Sequence, residues 1–191
     1  MEELKKKIVD EGEVIGTEIL KVDCFLNHQL DVAFLDKVAK EFYERYKDHK
    51  IDKILTVEVS GIAIAVLTAR YFDVPVLFAK KLQSKTLNED MYEAHVHSFT
   101  KKIDYNIRVS KKYLHEGDHV LLIDDFLAKG QAAMGLAEIC DQAGAIVEGI
   151  GIVIEKDFQE GGVLLRERGY KVDSLARIIG MNEEEIVFGE E

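Results

Sequence analysis

A chain of 191 residues, 47% apolar and 32% charged, fits one ordinary domain with a sizeable core. Its 36 acidic against 25 basic residues leave a formal charge of -11. That excess excludes a general nucleic-acid binder, which needs a basic face to displace counterions. It also disfavours docking on an anionic membrane, and it requires any anionic ligand to be held by a local site.

The chain opens Met1-Glu2-Glu3-Leu4-Lys5-Lys6-Lys7, without an apolar signal core, and no run is long enough to span a bilayer. The two cysteines, Cys24 and Cys140, form no CxxC pair and read as reduced thiols. A cytoplasmic protein is expected. Residues 2–10 have helical periodicity through Leu4, Ile8 and Val9. Residues 31–47 form a clearer amphipathic helix, with Val32, Leu35, Val38, Ala39, Phe42 and Tyr46 at helical spacing.

The pattern then changes. Ile51 to Val59 reads as a strand closed by Ser60-Gly61, Ile62 to Phe72 as a helix, and Val74 to Ala79 as a strand. The unit recurs: Val120 to Ile123 a strand, Gly130 to Ala143 a helix, Ala145 to Ile154 a strand, with Val172 to Ile179 a candidate for one more. Continuous rather than alternating apolar strands point to a parallel sheet buried on both faces. The fold class is α/β with a doubly wound core in a single domain, 1–191. Residues 80–113 break the rhythm. They are polar, with Gln83, Ser84, Asn88, Glu89, Asp90 and His97, and read as a lid or an excursion from the core. Asn182-Glu183-Glu184-Glu185 reads as a solvated acidic end.

The informative segment is Val120-Leu121-Leu122-Ile123-Asp124-Asp125-Phe126-Leu127-Ala128-Lys129-Gly130-Gln131-Ala132. A buried strand leads to two adjacent carboxylates, then to a short loop with Gly130, then to a helix. Ligands of open α/β sheets sit at the carboxyl ends of the strands. A helix N-terminus there offers backbone N–H groups and a favourable dipole to a phosphate. Asp124 and Asp125 are placed to accept hydrogen bonds from sugar hydroxyls, directly or through a hydrated metal ion. The alternative is an ordinary strand-to-helix junction with a solvated Asp pair. The loop is not a P-loop, because GxxxxGK[ST] is absent.

This segment resembles the phosphoribosyl pyrophosphate signature of the type I phosphoribosyltransferases. Ala128 matches the adenine-type branch of that signature. The spacing of Leu20, Asn27, Glu58 to Gly61, the 128–132 loop and Lys156 is similar to the xanthine-using members of the family over essentially the full chain. The resemblance implies a doubly wound, largely parallel sheet with a small N-terminal hood and a flexible lid. It implies transfer of the phosphoribosyl group to xanthine in purine salvage, giving xanthosine monophosphate and pyrophosphate, by a homodimer. Mg²⁺ would enter with the pyrophosphate substrate rather than through direct protein ligands.

The roles implied run residue by residue. Asp124 and Asp125 are the catalytic pair that reads the ribose hydroxyls. Ala128, Lys129, Gly130, Gln131 and Ala132 cradle the 5′-phosphate, and Val59, Ser60 and Gly61 hold the pyrophosphate. Lys156 donates to an oxopurine carbonyl, which suits a 6-oxo group and not the amino group of adenine. Phe158 stacks on the base, and Leu20 and Asn27 add base contacts from the hood. Each has a plainer reading: Lys156 as a solvated strand-end lysine, Leu20 and Phe158 as core, Glu58 as a carboxylate without chemistry. Lys80, Lys81 and Ser84 either reach the pyrophosphate or cover a solvated lid. His95-Val96-His97 carries a weak metal signal, and His28, His49, His115 and His119 read as surface or loop residues.

This sequence departs from many relatives, which have Thr where Lys129 and Ala132 stand. Phosphate binding therefore has to rest on backbone N–H groups and the Lys129 charge. The hypoxanthine–guanine branch carries Asp at the Ala128 position as proton acceptor, so here that acceptor is unassigned. Two rivals remain at this level: a guanine or hypoxanthine enzyme, since Lys156 does not separate 6-oxopurines, and a phosphoribosyl-pyrophosphate-sensing regulator. Against the regulator stand the -11 charge and the lack of a basic recognition helix.

Overall fold

The computed structural model describes residues 1–82, 90–98 and 103–190. In chain order the elements are α1 (Glu2–Glu11), β1 (Glu13–Ile15), β2 (Ile19–Lys21), a π-helical turn (Asp23–Asn27), α2 (Val32–Tyr46), β3 (Lys53–Val57), α3 (Gly61–Phe72) and β4 (Val76–Leu82). There follow β5 (Met91–Ser98), β6 (Ile103–Ser110), β7 (His119–Leu127), α4 (Gln131–Ala143), β8 (Ile146–Lys156), α5 (Gly161–Glu167), β9 (Val172–Met181) and β10 (Ile186–Phe188).

Eight strands form one sheet in the order β10-β9-β8-β7-β3-β4-β6-β5. The run β9-β8-β7-β3-β4 is parallel throughout, whereas β10 and the β5–β6 pair join antiparallel at the two edges. Each face of the sheet carries its own core. On one side Leu4, Ile8, Val38, Phe42 and Ile64, from α1 to α3, pack on Leu121 and Ile123. On the other, Leu136, Ile139 and Leu165, from α4 and α5, pack on Leu122 and Ile152. The α2 stripe predicted from spacing is buried at Leu35, Val38, Ala39, Phe42 and Tyr46, but Val32, in the first turn, is exposed and Phe34 is buried instead; in α1 Leu4 and Ile8 are buried and Val9 is exposed. Asp31 caps α2 by accepting from the Phe34 N–H at 3.1 Å.

Three readings change in detail. β7 does not stop at Ile123. Pairing with β8 continues through Asp124↔Ile152 and Phe126↔Ile154, so the two aspartates are strand residues. The break in rhythm after residue 80 is a change of pairing direction. β5 and β6 form an antiparallel pair on the sheet edge, burying Ala94, Val96, Ile107 and Val109 while their other face is polar. Gln83, Ser84, Asn88 and Glu89 lie outside the described residues. Finally, His49 and His119 are not idle surface groups: both hydrogen-bond Glu148, at 3.1 and 2.5 Å.

Candidate active site

The carboxyl ends of β3, β7 and β8 lie side by side. On β7, Asp124 is buried, and the Asp125 N–H donates to its Oδ1 at 3.0 Å. Burial, then the adjacent Asp125 charge, push the Asp124 carboxyl well above the usual carboxylate range. Asn27, from the π-helical turn, donates through Nδ2 to Asp125 Oδ2 at 3.2 Å. The N-terminal segment therefore reaches the acidic pair directly.

Val59, Ser60 and Gly61 lie where β3 turns into α3. Val59 is 76% exposed. Gly61 sits so close to β3 and β7 that a Cβ there would stand 2.1 Å from Thr56 Oγ1 and 3.1 Å from Asp124 Oδ1. This loop is thus seated against Asp124. Glu58 faces the neighbouring strand, where it accepts the Lys81 N–H at 2.7 Å. The Lys81 ammonium lies over the Tyr105 ring at 5.4 Å.

Beyond β7, residues 128–130 turn into α4. Gly130 has φ 76°, a left-handed conformation that a side chain would strain, and it heads the helix. The loop is backed by α5, whose Gly161 N–H donates to the Ala128 carbonyl at 3.0 Å.

A cleft of about 710 Å³ opens here, lined by Glu18, Leu20, Asn27, Phe126, residues 128–133 and Lys156, together with Val96, His97, Tyr105 and Gln159. Lys156 crosses it: Nζ donates to the Glu18 carbonyl of the hairpin turn at 2.5 Å and stands 5.7 Å from the Phe126 ring centre. Burial lowers the Lys156 pKa from the usual lysine value. Leu20 is at once core and cleft wall, with 7% exposure.

The structure brings Leu20, Asn27, Lys156 and residues 128–132 to one cleft, with Asp125 joined to it through Asn27. Phe158 is not brought there. It stands 37% exposed past the end of β8 and does not line the cleft. The aromatic rings that line it are Tyr105 and Phe126, and the sequence reading passed over Phe126. The available signal was its position between the acidic pair and the loop. His97 also lines the cleft, with Nδ1 bonded to Asp104 Oδ1 at 2.6 Å, and His95 lies 3.9 Å from the same oxygen. Among the described residues no group of three His, Cys, Asp or Glu side chains is arranged to hold a metal.

Comparison with known proteins gives a consistent picture. The model of the phosphoribosyl transferase domain matches residues 26–160. The chain is 55% identical to xanthine phosphoribosyltransferase 1 of Clostridium perfringens, covering 98% of this chain and 100% of that one. It is likewise 55% identical to the xanthine phosphoribosyltransferase of Ruminiclostridium cellulolyticum, over 100% of both. Among solved structures, adenine phosphoribosyltransferase of Saccharomyces cerevisiae superposes with a TM-score of 0.72 over 92% of this chain and 99% of its own, at 20% identity, which is likeness of fold.

Proposed function

The chain belongs to the phosphoribosyltransferase family, and from that premise we propose that it joins xanthine to phosphoribosyl pyrophosphate, forming xanthosine monophosphate and pyrophosphate. The observation that carries this reading is one cleft lined by a glycine-headed helix N-terminus and a half-buried lysine, and joined through Asn27 to the acidic pair of β7. Asp124 and Asp125 accept from the ribose hydroxyls. The backbone N–H groups of residues 128–132, at the positive end of α4, hold the 5′-phosphate. Val59, Ser60 and Gly61 receive the diphosphate beside Asp124.

Lys156 donates to an oxygen of the base, giving up its bond to the Glu18 carbonyl. Its partial burial strengthens that donation and disfavours adenine, whose amino group would face another donor. Phe126 takes the aromatic role assigned above to Phe158, with Leu20 and Asn27 closing the base from the N-terminal side. The hard oxygens of Asp124 and Asp125 fit a hydrated Mg²⁺ carried in with the diphosphate, whose chemistry there is to neutralise the leaving group. Exclusion of water protects the activated sugar from hydrolysis, and residues 80–113 are the segment proposed to do it. A homodimer in the cytoplasm completes the proposal. Among the described residues no helix is long and apolar enough to cross a membrane.

The test is a base panel: protein, Mg²⁺ and phosphoribosyl pyrophosphate with xanthine, guanine, hypoxanthine, adenine or orotate. Fastest turnover of xanthine is expected. Preference for guanine or hypoxanthine would retain the sugar site and overturn the base assignment. Tight phosphoribosyl pyrophosphate binding without turnover of any base would make the protein a sensor.

A further inference from the structure

The last two residues of β8 face opposite ways, as consecutive strand residues do. Lys156 reaches the N-terminal hairpin across the cleft. Glu155 is fully buried and turns to α5 and β9. Its carboxylate accepts from Arg166 Nη1 at 2.7 Å and Nη2 at 2.8 Å, and from Ser174 Oγ at 2.5 Å. Arg177 stands 4.0 Å away and pairs with Asp157 at 2.7 Å. Burial pulls the Glu155 carboxyl up, but the Arg166 and Ser174 hydrogen bonds and the two guanidinium charges outweigh it and hold it below the usual value.

A buried ion pair of this kind adds little to stability compared with an apolar replacement of the same shape. Its geometry suggests what it does instead. In the sheet, Glu155 lies in register between Arg177 of β9 and Leu127 of β7, the residue directly before the phosphate loop. α5 bridges the two. A Cβ on its first residue, Gly161, would stand 2.4 Å from the Ala128 carbonyl and 2.5 Å from the Gly130 nitrogen. A Cβ on its second residue, Gly162, would stand 1.8 Å from Glu155 Oε1. Arg166, one turn later, closes onto the same carboxylate. The Gly161-Gly162 pair thus sets α5 against the loop with one residue and against Glu155 with the next.

We propose that Glu155 is a positioning residue that couples the base subsite to the 5′-phosphate loop. Through its neighbour Lys156 it fixes the base donor, and through Arg166, Gly162 and Gly161 it fixes Ala128 to Gly130, touching no substrate itself. The coupling rests on the function proposed above for the two subsites.

The experiment measures KM for xanthine, KM for phosphoribosyl pyrophosphate, kcat and thermal midpoint in Glu155→Gln, Gly162→Ala and Ser174→Ala. In the first two, both KM values should rise about tenfold or more, because a misplacement of about 1 Å caused by a distant substitution is costly. Ser174→Ala, which keeps every charge, should raise both about threefold, as the loss of one hydrogen bond would. KM values within about twofold of wild type in the folded variants, with only the thermal midpoint lowered, would reduce the network to a structural one. Movement of a single KM would overturn the coupling. Should the first two variants fail to fold, Ser174→Ala decides. Absence of turnover in the wild type sinks the proposed function and not the coupling. The coupling is then read by titrating phosphoribosyl pyrophosphate and xanthine separately into the same proteins, where weaker binding of both to the variants supports it and unchanged binding of either overturns it.

Discussion

At the N-terminal ends of the parallel strands, Glu148 is held between His119 and His49, and Asp118 accepts from Lys53 at 2.7 Å. At the C-terminal ends of the same strands, Asp124 and Asp125 stand side by side, with Gly61 packed closely on Asp124. The electrostatic consequences are opposite. Hydrogen bonds from His119 and then His49 hold Glu148 below the usual carboxylate range, whereas burial and a like charge drive Asp124 above it. One end of the sheet uses its charges to join strands. The other keeps two carboxyl groups side by side, where the proposed function brings a sugar hydroxyl and a hydrated cation. Glu155 is intermediate: a buried carboxylate at the ligand end, fully partnered, that holds the loops in place.

The largest effect should come from Asp124→Asn, which preserves shape and removes the charge. Turnover should drop about a hundredfold or more, the scale for losing a preorganised electrostatic contact. Stability should move the other way. A carboxyl whose folded pKa is raised contributes stability below its unfolded pKa and loses it as pH rises through the folded value. The thermal midpoint of the variant should therefore exceed that of wild type at neutral pH, with the gap closing towards acid. A variant less stable than wild type at neutral pH would break the contrast between the two ends.

Lys156→Ala should raise KM for the oxopurine about tenfold to a hundredfold, the worth of a hydrogen bond to a charged donor. KM for phosphoribosyl pyrophosphate should stay close to wild type in steady-state assays, which separates loss of Lys156 from loss of Glu155.

A smaller effect distinguishes the two phenylalanines. Phe126→Leu should raise KM for the base about three- to tenfold, in line with an aromatic contact, while Phe158→Leu should leave it unchanged. The reverse order would return the aromatic wall to Phe158.

Smallest is Glu148→Ala. It should lower stability by about 1 kcal/mol or less, as a partly exposed ion pair does, and leave both KM values unchanged. Because the folded pKa of Glu148 is lowered, its contribution is present above the unfolded pKa and lost as pH falls through the folded one. Denaturation of wild type and variant should thus converge in acid. A change in turnover would mean that the two ends are not independent.

Much of the site was readable along the chain because its parts are local. The strand, acidic pair, loop and helix are contiguous from Val120 to Ala143, so their order alone places them at a carboxyl end of the sheet. Phe126 escaped because its neighbours Asp124 and Asp125 drew the chemical reading. A strand assumed to end at Ile123 also gives no face to residue 126, whereas pairing with β8 to Leu127 does. The β5–β6 pair escaped for another reason. Its buried face is made of Ala94, Val96, Ile107 and Val109, alternating with polar residues, and alternation in a polar segment is a weak signal.

By itself the sequence determined what depends on short stretches of chain: the α/β class, the helix stripes apart from Val9 and Val32, the turn at Gly130 and the order acidic pair, loop, helix. Only the tertiary structure decided what depends on residues far apart. It brought Asn27 to Asp125 across 98 positions and Lys156 to Glu18 across 138. It also put Phe126, and not Phe158, on the wall of the cleft and packed α5 against both Glu155 and the 128–130 loop. The physical reason is that periodicity and capping are set by neighbours a few residues away, while strand register and the packing of one loop on another arise only when the whole sheet is assembled.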